Sequence, residues 1–100
     1  MIVRNALPYF RCAGVEGGET AVKLARKWGY QKKKIPKGQA GIIFAEGNFW
    51  GRTLAAISAS CDPTSYEDFE PLMPGYHKVP YNDIPKLEVS VMYFDRDKNY

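Results

Sequence analysis

Residues 16–29 constrain the fold more than any other stretch, because charge order, apolar spacing and a terminal glycine all point to the same element. Glu16 and Glu19 sit where a first turn would be and Lys23, Arg26 and Lys27 lie toward the other end, so the side-chain charges complement a helix dipole. Ala21, Leu24, Ala25 and Trp28 recur at i, i+3, i+4 and i+7 and give one apolar face, with Gly29 following as a stop. Glu19 is also spaced to pair with Lys23 one turn later. The pattern predicts an amphipathic helix over 16–29.

The stretch after it reads as a basic connection, Lys32, Lys33, Lys34, Pro36, Lys37 and Gly38, that ends at the apolar run Gly41, Ile42, Ile43, Phe44 and Ala45. That run predicts a short buried strand. Glu46, Gly47 and Asn48 supply turn chemistry, and a helical pattern resumes over 53–57 past Gly51. Residues 61–75, with Pro63, Pro71 and Pro74, have loop composition. Residues 77–81 predict a short strand, which Pro80 restricts to an edge or an end. Asn82 or Asp83 can cap a helix starting near Pro85 and supported by Glu88; residues 89–94 then read as a strand and 95–100 as a polar tail. Strands alternating with amphipathic helices imply an α/β architecture.

Composition narrows the classes of function without choosing one. With 45% hydrophobic and 14% aromatic residues the chain has material for a core, and a formal net charge of +3 implies no strong field toward nucleic acid or anionic membrane. Cys12 and Cys61 are far apart and His77 is the single histidine, so neither a disulfide framework nor a metal site is expected. No apolar run approaches the roughly 18 residues of a membrane helix, and no membrane partner is expected. Arg4 and Arg11, in an acid-free start, faintly resemble an organelle-targeting segment, but one that is short and serine-free.

Two places have the chemistry of a ligand site. Gly14, Gly17 and Gly18 open the first helix, where unpaired backbone N–H groups and the positive dipole end can hold a phosphate; the same glycines also suit a merely flexible helix entry. Glu16 and Glu19 oppose an anion there unless they point away. At Asn48-Phe49-Trp50-Gly51-Arg52-Thr53 a strand end delivers two aromatics and an arginine past a glycine. An aromatic face can stack on a planar cofactor and an arginine can grip a carboxylate bidentately, or both aromatics can be core and Arg52 a solvated helix-start residue.

The sequence Gly14-Val15-Glu16-Gly17-Gly18-Glu19-Thr20, followed by Lys23-Leu24-Ala25-Arg26-Lys27-Trp28-Gly29-Tyr30, resembles the phosphate loop and helix of the ornithine aminotransferases, class III pyridoxal-phosphate-dependent enzymes. Asn48-Phe49-Trp50-Gly51-Arg52-Thr53-Leu54, Asp62-Pro63-Thr64-Ser65-Tyr66, Met73-Pro74-Gly75 and Val79-Pro80-Tyr81-Asn82-Asp83 continue the likeness in order. Class III relatives acting on acetylornithine or aminobutyrate usually carry histidine where Trp50 stands, so the tryptophan favours the ornithine branch.

The resemblance implies that residues 14–88 are part of the large cofactor-binding domain of a fold-type I aminotransferase, with 1–13 and 89–100 outside the match. It implies pyridoxal 5'-phosphate as cofactor, the backbone amides of Gly14 and Val15 on its phosphate, Phe49 on its pyridine ring and Arg52 on a substrate carboxylate. It further implies transfer of the terminal amino group of ornithine to a 2-oxo acid, a homodimer and a mitochondrial matrix location. The family usually has Asn-Thr before the first glycine, whereas this chain has Cys12-Ala13. The family's covalent lysine anchor, the aspartate facing the pyridine nitrogen and the substrate-sensing glutamate lie downstream of the matched region, so no catalytic residue is assigned within the 100 residues and the chain alone is expected to be inactive. Lys23, Lys27, Lys32, Lys33, Lys34 and Lys37 fall on a charged helix face or in a loop, where nothing desolvates them toward an anchoring role.

The abrupt loss of resemblance over 1–11 and 89–100 suggests a truncated or mis-spliced reading frame. Two rival readings are a small basic module that binds nucleic acid through Lys32–Lys37 with Tyr30 or Tyr81 stacking on bases, and a non-catalytic remnant that binds full-length subunits through 61–75.

Overall fold

The computed structural model of the chain describes residues 14–96, with side chains through Met92. Arg4, Arg11 and the Cys12-Ala13 departure lie outside the described residues, as does 97–100 of the expected tail. The elements run α1 (Gly14–Gln31), β1 (Ile42–Ala45), α2 (Leu54–Ile57), α3 (Pro63–Tyr66), β2 (Tyr76–Val79) and α4 (Ile84–Arg96).

Helix α1 is already formed at Gly14, the first described residue and two before the expected start, and does not stop at Gly29. It ends past Gln31, where Lys34 takes φ 57° and the Ile35 N–H returns to the Gly29 carbonyl at 3.1 Å. Gly29 serves close packing instead, since a Cβ there would lie 3.0 Å from Ile35 Cδ1. The packed side of α1 is also not the apolar stripe. Ala21 and Ala25 are exposed, as are Leu24 and Trp28, while Gly17 and Gly29 are buried and Val15, Gly18, Val22 and Arg26 are half-buried. Small residues let the helix approach its neighbours, and the bulky stripe is left facing outward.

Strands β1 and β2 pair in parallel, Ile42 opposite Tyr76 through Ala45 opposite Val79, with backbone bonds Ile42 N to Gly75 O (2.8 Å) and Glu46 N to Val79 O (2.7 Å) at the two ends. Parallel pairing requires a crossover, and α2 and α3 form it. The loop expected over 61–75 thus holds a turn of helix, started by the Asp62 side chain accepting from Thr64 N at 3.0 Å with Pro63 at the first position. Pro80 follows the last residue of β2 and ends it.

The strand expected over 89–94 does not form; the helix begun at Ile84 continues through it and through Asp95 and Arg96. Asp83 starts that helix, its carboxylate accepting from Lys86 N (3.0 Å) and its carbonyl from Leu87 N (3.1 Å). No breaker follows Pro85, and a helix satisfies its own backbone whereas a strand here would need a third sheet position.

Buried apolar side chains among the described residues are small: Ala40, Ala56, Ile57, Ala59 and Val79. Side chains stitch the layers around them. Asn48 Nδ2 donates to the carbonyls of Ala45 (2.8 Å) and Ala59 (2.7 Å), and Arg26 Nη2 donates to the Pro74 carbonyl (3.0 Å) beneath the Tyr76 ring. Among the described residues no helix is long and apolar enough to cross a membrane, and no cluster of three His, Cys, Asp or Glu residues is placed to hold a metal ion.

Candidate functional site

Helix α1 is already formed at Gly14, the first described residue, so the amides of Gly14 and Val15 lie at the described N-terminal end of this 18-residue helix. Among the described residues nothing comes within 4 Å of where a Gly14 Cβ would be.

The turn over 48–53 leaves β1 and comes to rest directly on the first turns of α1. Two glycines permit that approach. Gly51 has φ 146°, a conformation L side chains rarely adopt, and a Cβ on it would collide with the Val15 side chain. A Cβ on Gly18 would collide with the Trp50 ring. One turn along, Thr53 Oγ1 donates to Glu19 Oε1 at 2.6 Å and accepts from Ala56 N at 3.2 Å, which makes Thr53 both the cap of α2 and the tie to α1.

The two aromatics of the turn part company. Trp50 points inward and stacks on Phe44, centroids 5.9 Å apart and planes within 5°, while Phe44 meets Tyr76 at 4.6 Å on a tilt. Phe49 is 76% exposed, so the reading of both aromatics as core holds for Trp50 alone. Arg52 is exposed as well. Phe49 and Arg52 line one groove of about 800 Å³ with Asn48, Leu54, Cys61 and Phe69; Gly14 and Val15 are not among its lining residues. The two sequence-predicted places are therefore joined through Val15 and Gly51 at the backbone, with the groove on the turn's side of that joint.

Of the two acids near the N-terminal end of α1, Glu16 is exposed to solvent and Glu19 accepts the Thr53 hydroxyl proton. Burial pushes the Tyr76 hydroxyl above its ordinary value of 10.0, with nearby Arg26 opposing the rise and Glu19 adding to it. Buried Trp50 Nε1 and Tyr76 Oη have no hydrogen-bond partner. Sequence reasoning placed Gly18, Glu19 and Thr53 in the two candidate places but not the contacts between those places, Glu19 with Thr53 and Gly18 with Trp50. A threonine just before Leu-Ala-Ala-Ile is a recognisable cap, but its partnership with a residue 34 positions earlier leaves no local signal.

Residues 7–94 match the family model described as aminotransferase class-III. The chain is 65% identical over 78 residues to the mitochondrial ornithine aminotransferase of Drosophila melanogaster, covering 78% of this chain and 18% of that protein. Against the mitochondrial ornithine aminotransferase of Rattus norvegicus it is 65% identical over 75 residues, 75% of this chain and 17% of the relative. Among solved structures, an ornithine aminotransferase from Toxoplasma gondii, with partial occupancy of PLP at its active site, superposes with a TM-score of 0.79 at 36% identity, over 87% of this chain and 22% of that one. The chain thus spans less than a quarter of the length of these relatives, and its mixed helix and strand fold is that of a piece of their large domain.

Proposed function

Because this chain belongs to the class-III aminotransferase family, we propose that it forms the part of an ornithine aminotransferase site that holds the phosphate and ring of pyridoxal phosphate and one substrate carboxylate. The observation that carries this reading is the seating of the 48–53 turn on Val15, Gly18 and Glu19 of α1, with Phe49 and Arg52 exposed on that turn. The amides of Gly14 and Val15 hold the phosphate, aided by the dipole of α1. The exposed face of Phe49 covers the pyridine ring, and the Arg52 guanidinium offers two parallel N–H donors to a carboxylate. When bound, the cofactor supplies an electron sink for amino-group transfer.

The reaction of the whole enzyme is transfer of the terminal amino group of ornithine to a 2-oxo acid, in a homodimer of the mitochondrial matrix; relatives named as mitochondrial ornithine aminotransferases support the reaction and the organelle. The lysines Lys23, Lys27, Lys32, Lys33, Lys34 and Lys37 are all exposed, which supports reading them as solvated rather than as the covalent anchor, and the 100-residue chain by itself as a binding segment that does not turn over.

The test is titration with pyridoxamine 5'-phosphate, which has no aldehyde to condense with exposed lysines, followed by tryptophan fluorescence and by the dichroism induced in the ligand band. Saturable binding that inorganic phosphate displaces is expected, with Arg52→Ala sparing it. Absence of saturable binding to the wild-type chain overturns the reading.

A further inference from the structure

We propose that Glu19 is a positioning residue, whose carboxylate, by accepting the Thr53 hydroxyl proton, fixes the Phe49–Arg52 turn in register with the amides that open α1. The proposal rests on the cofactor reading above and adds to it a residue that touches neither phosphate nor ring.

Three contacts join the turn to α1, and they differ in kind. Val15 on Gly51 and Gly18 on the Trp50 ring are apolar contacts, which set how closely the two pieces approach but tolerate sliding along the helix. The bond from Thr53 Oγ1 to Glu19 Oε1, at 2.6 Å, is short, directional and charge-assisted. Both partners are half-buried, so the bond is partly sheltered from water. Thr53 cannot rotate away cheaply, because the same oxygen accepts from Ala56 N to cap α2; the hydroxyl's one proton and one of its lone pairs are both in use. Arg52 is the residue directly before this anchor and Phe49 lies four residues before it. A slip of the turn along α1 would therefore move both relative to the Gly14 and Val15 amides, while leaving those amides in place at the helix end.

That asymmetry gives a readout that a merely structural role would not produce. Inorganic phosphate needs only the helix amides, whereas pyridoxamine 5'-phosphate needs amides and ring face in register. In Glu19→Ala and Thr53→Val the affinity for pyridoxamine 5'-phosphate is expected to fall by about tenfold or more, the order expected for a hydrogen bond to a charged group, while that for inorganic phosphate is retained. Glu19→Gln, which keeps an acceptor oxygen, and Thr53→Ser, which keeps the hydroxyl, are expected to restore most of the loss. Combining Glu19→Ala with Thr53→Val should cost no more than either alone.

Unchanged affinity for both ligands in Glu19→Ala overturns the proposal. Equal loss of both ligands, with a matching loss of helical dichroism, also overturns it by making Glu19 a folding residue. Failure of the wild-type chain to bind either ligand removes the cofactor reading itself, and the positioning role with it.

Discussion

Gly18 and Gly14 belong to the same helix, yet one added carbon has opposite consequences at the two positions. At Gly18 a methyl meets the Trp50 ring, which is already stacked on Phe44 and has little room to turn. Overpacking costs about 1–3 kcal/mol, against a gain of up to about 1 kcal/mol in helix propensity. Gly18→Ala is therefore expected to lower the urea midpoint and shift the tryptophan emission. Gly14→Ala should leave the midpoint unchanged or slightly raised, since nothing among the described residues approaches that Cβ position and the helix propensity gain is unopposed, yet weaken inorganic phosphate binding by placing a methyl beside the amides. Tyr76 makes the residue-scale prediction for pH. Burial, the main cause, raises its hydroxyl above 10.0 in the folded chain, so folding favours the neutral phenol. The resulting stability is fully present below the unfolded value and is lost as pH rises through the folded one. Denaturation midpoints measured on either side of pH 10.0 should fall more steeply in the wild type than in Tyr76→Phe.

At the scale of elements, α1 and α4 show two ways in which a periodic signal can be read correctly and placed wrongly. The Ala21, Leu24, Ala25, Trp28 stripe is real, but a neighbouring side of α1, carrying Val15, Gly18, Val22 and Gly29, faces the rest of the fold, and Gly18 on it admits the 48–53 turn. In α4 the run Val89-Ser90-Val91 reads as strand by its two valines, and the helix prevails because Asp83 has already nucleated it and the sheet of the described residues has two strands only. This assignment is open to a direct check. Val89→Pro removes a helix-interior N–H and should cost about 3 kcal/mol locally, seen as a loss of 222 nm dichroism. An unchanged signal would mean that residues 89–94 are not helical in solution.

For the whole molecule, the balance of buried and exposed apolar groups governs behaviour. The branched side chains in the core are Ile57 and Val79, each giving about 1.5–3 kcal/mol on full burial. No large side chain among the described residues is fully buried, while Leu24, Trp28, Leu54, Phe69, Ile84, Val89, Val91 and Met92 are exposed. The purified chain is expected to melt broadly, to bind an apolar dye and to self-associate as concentration rises. A sharp, concentration-independent thermal transition with a strong near-ultraviolet signal would contradict this. The sequence by itself determined the α/β class, the charge order of α1, the apolar run of β1, a helix capped at Asn82 or Asp83, and the motifs that carry the family, because each of these is written within a few residues. Only the tertiary structure decided which side of α1 is packed, that Trp50 turns inward while Phe49 stays exposed, that Glu19 meets Thr53, and that 89–94 stays helical. Those outcomes depend on which distant segments the chain path brings together and on whether a neighbouring strand exists to pair with, and local periodicity carries neither.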